Sequence, residues 1–158
     1  MTSLTLGPRD SLDPDLVRLV EAGTPFAATL GAVVVELAEG RAVLALDAPA
    51  SLHNHVGGPH AATLFGLAET AAAAVLLTLF ADLIEGGCLP LIKAAEIAYT
   101  AIATGPVTAE AAFAGDAQGV RASVAERGVA VFPVEVVLRT ADGRATATVT
   151  AEMALKRL

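Results

Sequence analysis

Aromatic residues, cysteine and positive charge are all scarce in this sequence. Only 4% of the 158 residues are aromatic, none is tryptophan, and 17% are charged, against 54% that are hydrophobic. Ten Lys and Arg against seventeen Asp and Glu give a formal net charge of −7. A nucleic-acid-binding protein needs a basic patch to displace counterions from phosphates, and docking on an anionic membrane also requires basic residues. We therefore expect no nucleic-acid partner and no membrane partner.

The single cysteine, Cys88, cannot form an internal disulfide, which favours a reducing compartment. We interpret it as a small apolar residue at the start of a strand. Residues 1–15 contain neither a basic n-region nor an apolar h-region, so we expect no signal peptide. The longest uncharged apolar run, residues 70–81, is shorter than the about 20 residues that span a bilayer. These features predict a soluble, cytoplasmic protein.

No repeat, low-complexity tract or linker divides the chain, so we expect one domain over residues 1–158. Asp13 followed by Pro14 predicts the start of a helix that Gly23 ends. β-Branched runs, turn residues and helical periodicity predict the remaining elements. These are strands over residues 30–37 and 41–47, a loop over 49–60, a helix over 59–84, strands over 89–104 and 106–114, a helix over 117–126, and strands over 129–140 and 144–156.

The predicted helix over residues 59–84 is apolar on every side, which is typical of a buried helix. Its small residues at 71–74 would let the backbone of a sheet approach closely. One long helix lies between two groups of strands, and the last two strands meet at the Asp142-Gly143 turn, a strong hairpin signal. The order of elements predicts an α+β fold in which a sheet curls around a central helix.

Polar residues concentrate at the entrance of this apolar helix, in residues 53–70 with the sequence HNHVGGPHAATLFGLAET. All three histidines are here, together with Asn54 and the carboxylate of Glu69. The N-terminus of a buried helix offers free backbone N–H groups and the positive end of a dipole. Residues 58–61, from Gly58 to Ala61, lie where these donors would be. Hydrolysis of a thioester requires a hydrogen-bond donor for the carbonyl oxygen and a carboxylate beside it.

Asn54, His60 and Glu69, spaced by six and nine residues, resemble the active-site motif of hotdog-fold thioesterases of the phenylacetyl-CoA (PaaI) type. The similarity extends over about residues 31–156, and the lysine-bearing strand and the extra helix resemble an uncharacterised branch of that superfamily. It implies a curved sheet around the helix and hydrolysis of an acyl-CoA or related acyl thioester. Glu69 would be the nucleophile or general base. The amide of Ala61, helped by Asn54, would polarise the carbonyl, and His60 would shape the helix entrance.

Two positions depart from the family pattern. Ala61 and Ala62 stand where the family has Gly-Gly, and Ile92 stands where many relatives have a Ser or Thr that orients water. Lys93, next to it, is a candidate for binding a CoA phosphate or for pairing with Glu69. A non-catalytic acyl-binding or scaffold protein that keeps the pocket is therefore the alternative to a hydrolase.

Structural explanations compete with these roles. Glu69 could be a buried acid paired with Lys93, His60 could cap the helix, and Asn54 could hold the loop through an Asx turn. His53 and His55, with His60 and Glu69, also permit a zinc or iron site. Because a His-x-His pair in a loop is a weak signal, we expect neither a metal nor a cofactor.

Geometry predicts the assembly. Ala61 and Glu69 are eight residues apart on one helix, which separates their backbones by about 12 Å. One thioester carbonyl cannot touch both groups of the same chain. The resemblance implies two sheets joined edge to edge, so we expect a homodimer, or a dimer of dimers, whose two sites are shared between chains.

Overall fold

The structure, a computed structural model, describes residues 7–158. Residues 1–6, which belong to the stretch where we expect no signal peptide, lie outside it. Helix α1 spans Pro14–Ala22, with the side chain of Asp13 accepting a hydrogen bond from the Asp15 amide at 2.8 Å, as the sequence predicts. A second helix, α2 at Pro25–Leu30, was not expected.

Helix α2 corrects the predicted start of the first long strand. Its N-cap is Thr24, whose hydroxyl accepts a hydrogen bond from the Ala27 amide at 3.1 Å, and it ends at Gly31 with φ 72°. A Thr-Pro start and a left-handed glycine stop are the signals of a short helix. The strand predicted from residue 30 therefore begins only at Val33.

Seven strands form one antiparallel sheet in the order β1-β2-β3-β5-β6-β7-β4. Their bounds are β1 Gly7–Pro8, β2 Val33–Ala38, β3 Arg41–Leu46, β4 Cys88–Tyr99, β5 Val107–Phe113, β6 Val129–Thr140 and β7 Ala145–Arg157. The sheet curves around the long helix α3, Ala61–Glu85, and a shorter helix α4, Ala117–Arg127, precedes β6. The α+β hotdog architecture is confirmed.

Strand β4 is shorter than the predicted strand over residues 89–104. It ends at Tyr99, and the amides of Thr100 and Ala101 both donate to the Thr146 carbonyl, which turns the chain out of the sheet. Gly105, with φ 68°, and the proline after it then form the turn into β5. Along β7 buried and exposed residues alternate from Ala147 to Met153, whereas Thr146 is fully buried and donates to the Leu138 carbonyl at 3.3 Å.

Helix α3 forms the centre of the core. Leu67, Val75 and Leu76 are fully buried, and the helix that carries them contacts every strand from β2 to β7. By length and composition alone α3 is long and apolar enough to cross a membrane, whereas sequence analysis counted only the shorter uncharged run over residues 70–81. Most of the apolar part of the helix is buried inside the structure. The core helix of a globular protein passes the same test.

Helix α4 contacts the C-terminal part of α3 through hydrogen bonds of Arg121. Arg121 donates to both carboxylate oxygens of Asp82, at 2.7 and 2.9 Å, and to the Leu79 carbonyl at 2.6 Å. Its guanidinium also lies over the Phe80 ring, 5.5 Å from the ring centre, where α3 has non-helical φ and ψ. Arg121 therefore provides a hydrogen-bond donor for a backbone carbonyl and a counter-charge for a carboxylate at the irregular turn of the central helix.

Strand β4 is one edge of the sheet. It pairs with β7, and among the described residues no strand occupies its other side. A β-bulge interrupts this pairing between Ile92 and Ala94, so that Lys93 is the extra residue. Leu89 and Leu91 on this strand are 41% and 44% exposed. The structure thus presents an unpaired, partly apolar edge of 12 residues.

Candidate functional site

Glu69 lies on α3 and points into a pocket between the helices and β4. Its side chain is half-buried, and burial raises the pKa of the carboxyl above the ordinary value. Among residues 7–158 no cation and no N–H or O–H donor contacts this carboxylate. Without a partner the acid is not held in the charged form, which is typical of a group that acts on a ligand.

The pocket has a volume of about 290 Å³ and is lined mostly by apolar side chains. Glu69 is the only charged residue among those that line it in the described part of the chain. The lining residues are Leu19, Val20 and Gly23 from α1 and its end, Thr24, Phe26 and Ala27 from α2, Glu69, Thr70, Ala73, Ala74, Leu77 and Ile84 from α3, Pro90, Leu91 and Ile92 from β4, and Met153 from β7. The N-terminal helices therefore form one wall, which the sequence did not indicate.

Ile92 and Lys93 occupy opposite environments at the bulge of β4. Ile92 lines the same pocket as Glu69, whereas Lys93 is largely exposed and forms an ion pair with Glu152 at 3.8 Å. The pairing of Lys93 with Glu69, one of the alternatives from the sequence, is not seen. The hydroxyl groups that line the pocket are those of Thr24 and Thr70, and Thr70 donates its proton to the Gly66 carbonyl at 2.8 Å.

Asn54 organises the loop before α3, as the structural explanation predicted. Its side-chain oxygen accepts hydrogen bonds from the amides of Val56 at 3.0 Å and Gly58 at 3.2 Å. Its amide nitrogen donates to the Pro59 carbonyl at 3.2 Å. Asn54 thereby fixes the loop that leads directly into the helix, and any effect it has on a substrate at this position passes first through that loop.

The helix entrance offers fewer free donors than the sequence predicted. The Gly58 amide is bonded to Asn54, Pro59 has no N–H, and the His60 amide donates to the Leu52 carbonyl at 2.9 Å. His60 is the N-cap, and its Nδ1 accepts a hydrogen bond from the Ala62 amide at 3.0 Å. Of the four positions 58–61, only the exposed Ala61 keeps an N–H without an acceptor among the described residues. The expectation of free donors at Gly58 and His60 is wrong.

Gly58 has a steric role instead. A Cβ atom there would lie 2.1 Å from the carbonyl oxygen of Ala103, so no other residue fits without moving the backbone. Gly58 packs the Asn54 loop against the segment that follows β4.

Tyr99 belongs to the helix entrance, although sequence analysis assigned no role to this residue. Its hydroxyl donates to the Ala61 carbonyl at 2.9 Å, and burial raises its pKa, so it is a protonated donor at neutral pH. The signal that the sequence offered was that Tyr99 is the only tyrosine of the chain and lies within the predicted strand over residues 89–104.

Both principal groups lie on α3, Ala61 in its first turn and Glu69 two turns later. Their backbones are separated by about 12 Å at 1.5 Å per residue. One chain therefore does not bring the free N–H and the carboxylate to the same atom.

The histidines do not assemble into a metal site. Within residues 7–158 no three His, Cys, Asp or Glu side chains are placed to bind one ion. A ring nitrogen of His53 lies 3.0 Å from the Ala48 carbonyl, and His60 is engaged as a cap. The arrangement of these residues therefore does not fit the zinc or iron alternative.

Comparisons with known proteins identify the family and the fold of the chain. The model of the family described as a domain of unknown function (DUF4442) matches residues 15–155. No curated protein matches the chain. Among solved structures, the chain resembles PA5026 from Pseudomonas aeruginosa, a protein of unknown function described as a probable thioesterase, with 27% identity and a TM-score of 0.76 over 89% of this chain and 93% of that one.

Two further structures share the fold at lower identity. The Escherichia coli PaaI protein from the phenylacetic acid degradation operon is 17% identical, with a TM-score of 0.67 over 91% of each chain. A variant of the thioesterase SAV0944 from Staphylococcus aureus is also 17% identical, with a TM-score of 0.68 over 84% of this chain and 99% of that one. The chain is therefore a member of the DUF4442 family and has the hotdog fold of PaaI-like and other thioesterases.

Proposed function

We propose that the protein hydrolyses an acyl-CoA or a related acyl thioester. The observation that carries this proposal is the half-buried, unpaired carboxyl of Glu69 inside an otherwise apolar pocket. Binding of an acyl chain requires a pocket with apolar walls, and hydrolysis requires a carboxylate at the end of the pocket, next to the carbonyl carbon of the thioester. Solved hotdog structures described as thioesterases support the same reaction class.

Glu69 acts on the carbonyl carbon in one of two ways. As a general base it takes a proton from water; the hydroxide adds to the carbon, the C–S bond breaks, and the thiolate leaves with the proton that Glu69 accepted. As a nucleophile its oxygen adds to the carbon and expels the thiolate, and water then cleaves the resulting anhydride. In both cases the negative charge that develops on the carbonyl oxygen needs a donor, and the Ala61 N–H at the helix N-terminus supplies it.

The site is shared between two chains. Since Ala61 and Glu69 of one helix are about 12 Å apart, the Ala61 N–H must meet Glu69 from a second copy. The open edge of β4 is the surface on which two sheets can pair, because its backbone donors and acceptors have no partner strand among the described residues. A two-fold axis there makes a homodimer with two equal sites, and a dimer of dimers remains compatible with it.

Lys93 binds the phosphates of CoA. Its side chain is 62% exposed, and its ammonium group lies 3.8 Å from a Glu152 carboxylate oxygen. This distance is too long for a strong hydrogen bond, so a phosphate can replace the carboxylate. Such a role favours a thioester of CoA, or of the phosphopantetheine of a carrier protein, over a thioester without a phosphate group.

The buried free thiol of Cys88 is in keeping with a cytoplasmic, reducing location.

One observation favours a second function, the binding of an acyl group without hydrolysis. Ile92 brings an apolar side chain to the pocket that contains Glu69, at the position where many thioesterases place a hydroxyl that orients water. A water molecule beside Glu69 would then be held less firmly.

Thiol release from a panel of acyl-CoA and aryl-CoA thioesters distinguishes the two functions. We expect the wild-type protein to release CoA from at least one thioester and Glu69→Gln to release none while still binding the same compound. Saturable binding without thiol release in the wild-type protein would leave the acyl-binding function in place of the hydrolase. Equal hydrolysis by both proteins would exclude Glu69 from the reaction.

A further inference from the structure

The pocket beside Glu69 is a groove that runs in one direction along the central helix. Its α3 wall carries Glu69, then Ala73 and Leu77 at successive steps of about 6 Å along the helix, and Ile84 about 10 Å beyond Leu77. The opposite wall is the first half of β4, from Ile92 to Pro90. The acid lies at one end, and the remaining lining residues are uncharged and mostly apolar.

The N-terminal helices form a partial roof over the groove. Leu19 of α1 and Phe26 of α2 both line it. The Phe26 ring lies so close to α3 that a Cβ atom on Gly66 would meet the ring at 2.7 Å. Gly66 is one turn before Glu69, so the ring passes directly over the helix backbone beside the carboxylate end.

Volume and shape together limit what the groove can hold. A cavity of about 150 Å³ lined by aliphatic and aromatic side chains binds benzene, so 290 Å³ has room for roughly twice as many carbons. Because the lining residues extend over several turns of α3, this volume is distributed along the helix. A flexible linear chain follows such a path, whereas a rigid ring system does not.

We propose that the groove selects linear, medium-length acyl chains, on the order of ten carbons, with the thioester at Glu69 and the methyl end toward Ile84. The proposal rests on the function proposed above and specifies its substrate class. Two residues on the floor set the length: Ala73, one turn beyond Glu69, leaves the groove open, and Leu77, one turn further, narrows its distal half.

Hydrolysis of acetyl-, butanoyl-, octanoyl-, decanoyl-, palmitoyl- and phenylacetyl-CoA tests the proposal. We expect kcat/KM to rise by up to about fourfold for each added methylene, the equivalent of about 0.8 kcal/mol, to reach a maximum near decanoyl-CoA, and to fall at palmitoyl-CoA. A flat profile, or a preference for phenylacetyl-CoA over decanoyl-CoA, would overturn the groove assignment while the hydrolase function stands.

Two substitutions should shift the preferred length in opposite directions. Ala73→Leu places three extra carbons across the groove and should lower kcat/KM for decanoyl-CoA by at least about tenfold, with much less effect on butanoyl-CoA. Leu77→Ala should move the maximum toward palmitoyl-CoA. Ala122→Leu, on the exposed face of α4, is the control and should keep the wild-type profile. Unchanged profiles in both folded variants, checked by thermal melting, would contradict the proposal.

The outcome in which no thioester is hydrolysed separates the two proposals. The hydrolase function then fails, and titration of decanoate and phenylacetate by calorimetry tests the groove by itself. Saturable binding of decanoate that Ala73→Leu abolishes supports the groove, and absence of decanoate binding to the wild-type protein overturns it.

Discussion

The hydroxyl of Tyr99 donates a hydrogen bond to the carbonyl of Ala61 at 2.9 Å, which ties the last residue of β4 to the first turn of α3. The edge strand of the sheet thereby holds the helix entrance at Ala61, whose own amide has no acceptor among the described residues. The donor proposed to stabilise the carbonyl oxygen is thus fixed by contacts from the strand side and by the His60 cap from the loop side.

Ala61→Pro should remove the proposed oxyanion donor and leave the fold intact. Ala61 is the first residue of α3, where proline is well accepted, and His60 has φ −62° and ψ 150°, which is the conformation favoured before proline. We expect kcat to fall by about 10²-fold or more, with an unchanged melting temperature. Ala61→Gly keeps the N–H and is the matched control. Equal activity of both variants would exclude the Ala61 amide from the reaction.

Glu69→Gln should abolish turnover. In the wild-type protein the rate should rise with pH, and the apparent pKa of this rise should lie above the ordinary pKa of a glutamate. Burial raises the pKa of Glu69, so the reactive carboxylate forms only at higher pH. Glu85→Gln, at the exposed end of α3, is the control. Rates that stay constant down to the ordinary glutamate range would contradict a catalytic carboxylate with a raised pKa.

Glu69→Gln should also affect the free energy of unfolding, and the raised pKa of Glu69 predicts the sign of the change. An acid whose pKa is raised by folding keeps its proton in the folded state after the unfolded chain has lost its own, so its contribution falls as pH rises from the unfolded to the folded pKa. Glu69→Gln removes this cost. Chemical denaturation at neutral pH should therefore find the variant no less stable than the wild-type protein.

Leu67→Ala and Leu76→Ala should each lower the free energy of unfolding by roughly 2–5 kcal/mol, because each leaves a cavity in the core. Both side chains are fully buried on α3. Denaturation followed by circular dichroism measures the change. Losses below about 0.5 kcal/mol at both positions would mean that α3 is not the centre of the core.

Mixing two inactive variants tests the shared site. Glu69→Gln and Ala61→Pro each destroy one half of both sites, so each homodimer is inactive. After random exchange half of the dimers are mixed and carry one intact site of two, which predicts about a quarter of the wild-type activity. Light scattering must show dimers in the same samples. No recovery despite exchange, or an active monomer, would contradict the shared-site assignment.

The sequence predicted the parts of the fold that local chemistry determines. The cap at Asp13 and the turn at Asp142 and Gly143 depend on a few neighbouring residues, the long apolar run of α3 can be read along one element, and the structure confirms each. Helix α2 was missed because its six residues are too few to show a period, although Thr24 and Pro25 form its start signal.

The site was less predictable because it depends on contacts between distant segments. Spacing alone indicated Glu69, but the pocket wall from α1 and α2 and the hydrogen bond from Tyr99 join residues far apart in the chain. Spacing also could not tell which amides of residues 58–61 remain free. The Asn54 side chain and the Leu52 carbonyl take two of them, and this is a property of the folded loop.

The open edge of β4 has a thermodynamic consequence. The strand that would pair with a second copy is also a wall of the groove, so occupation of the groove and association of two chains share one set of residues. A ligand that contacts both chains must then favour the dimer by mass action, and its apparent affinity must in turn increase with protein concentration. Dilution would inactivate the protein without unfolding it, and substrate would protect against that loss.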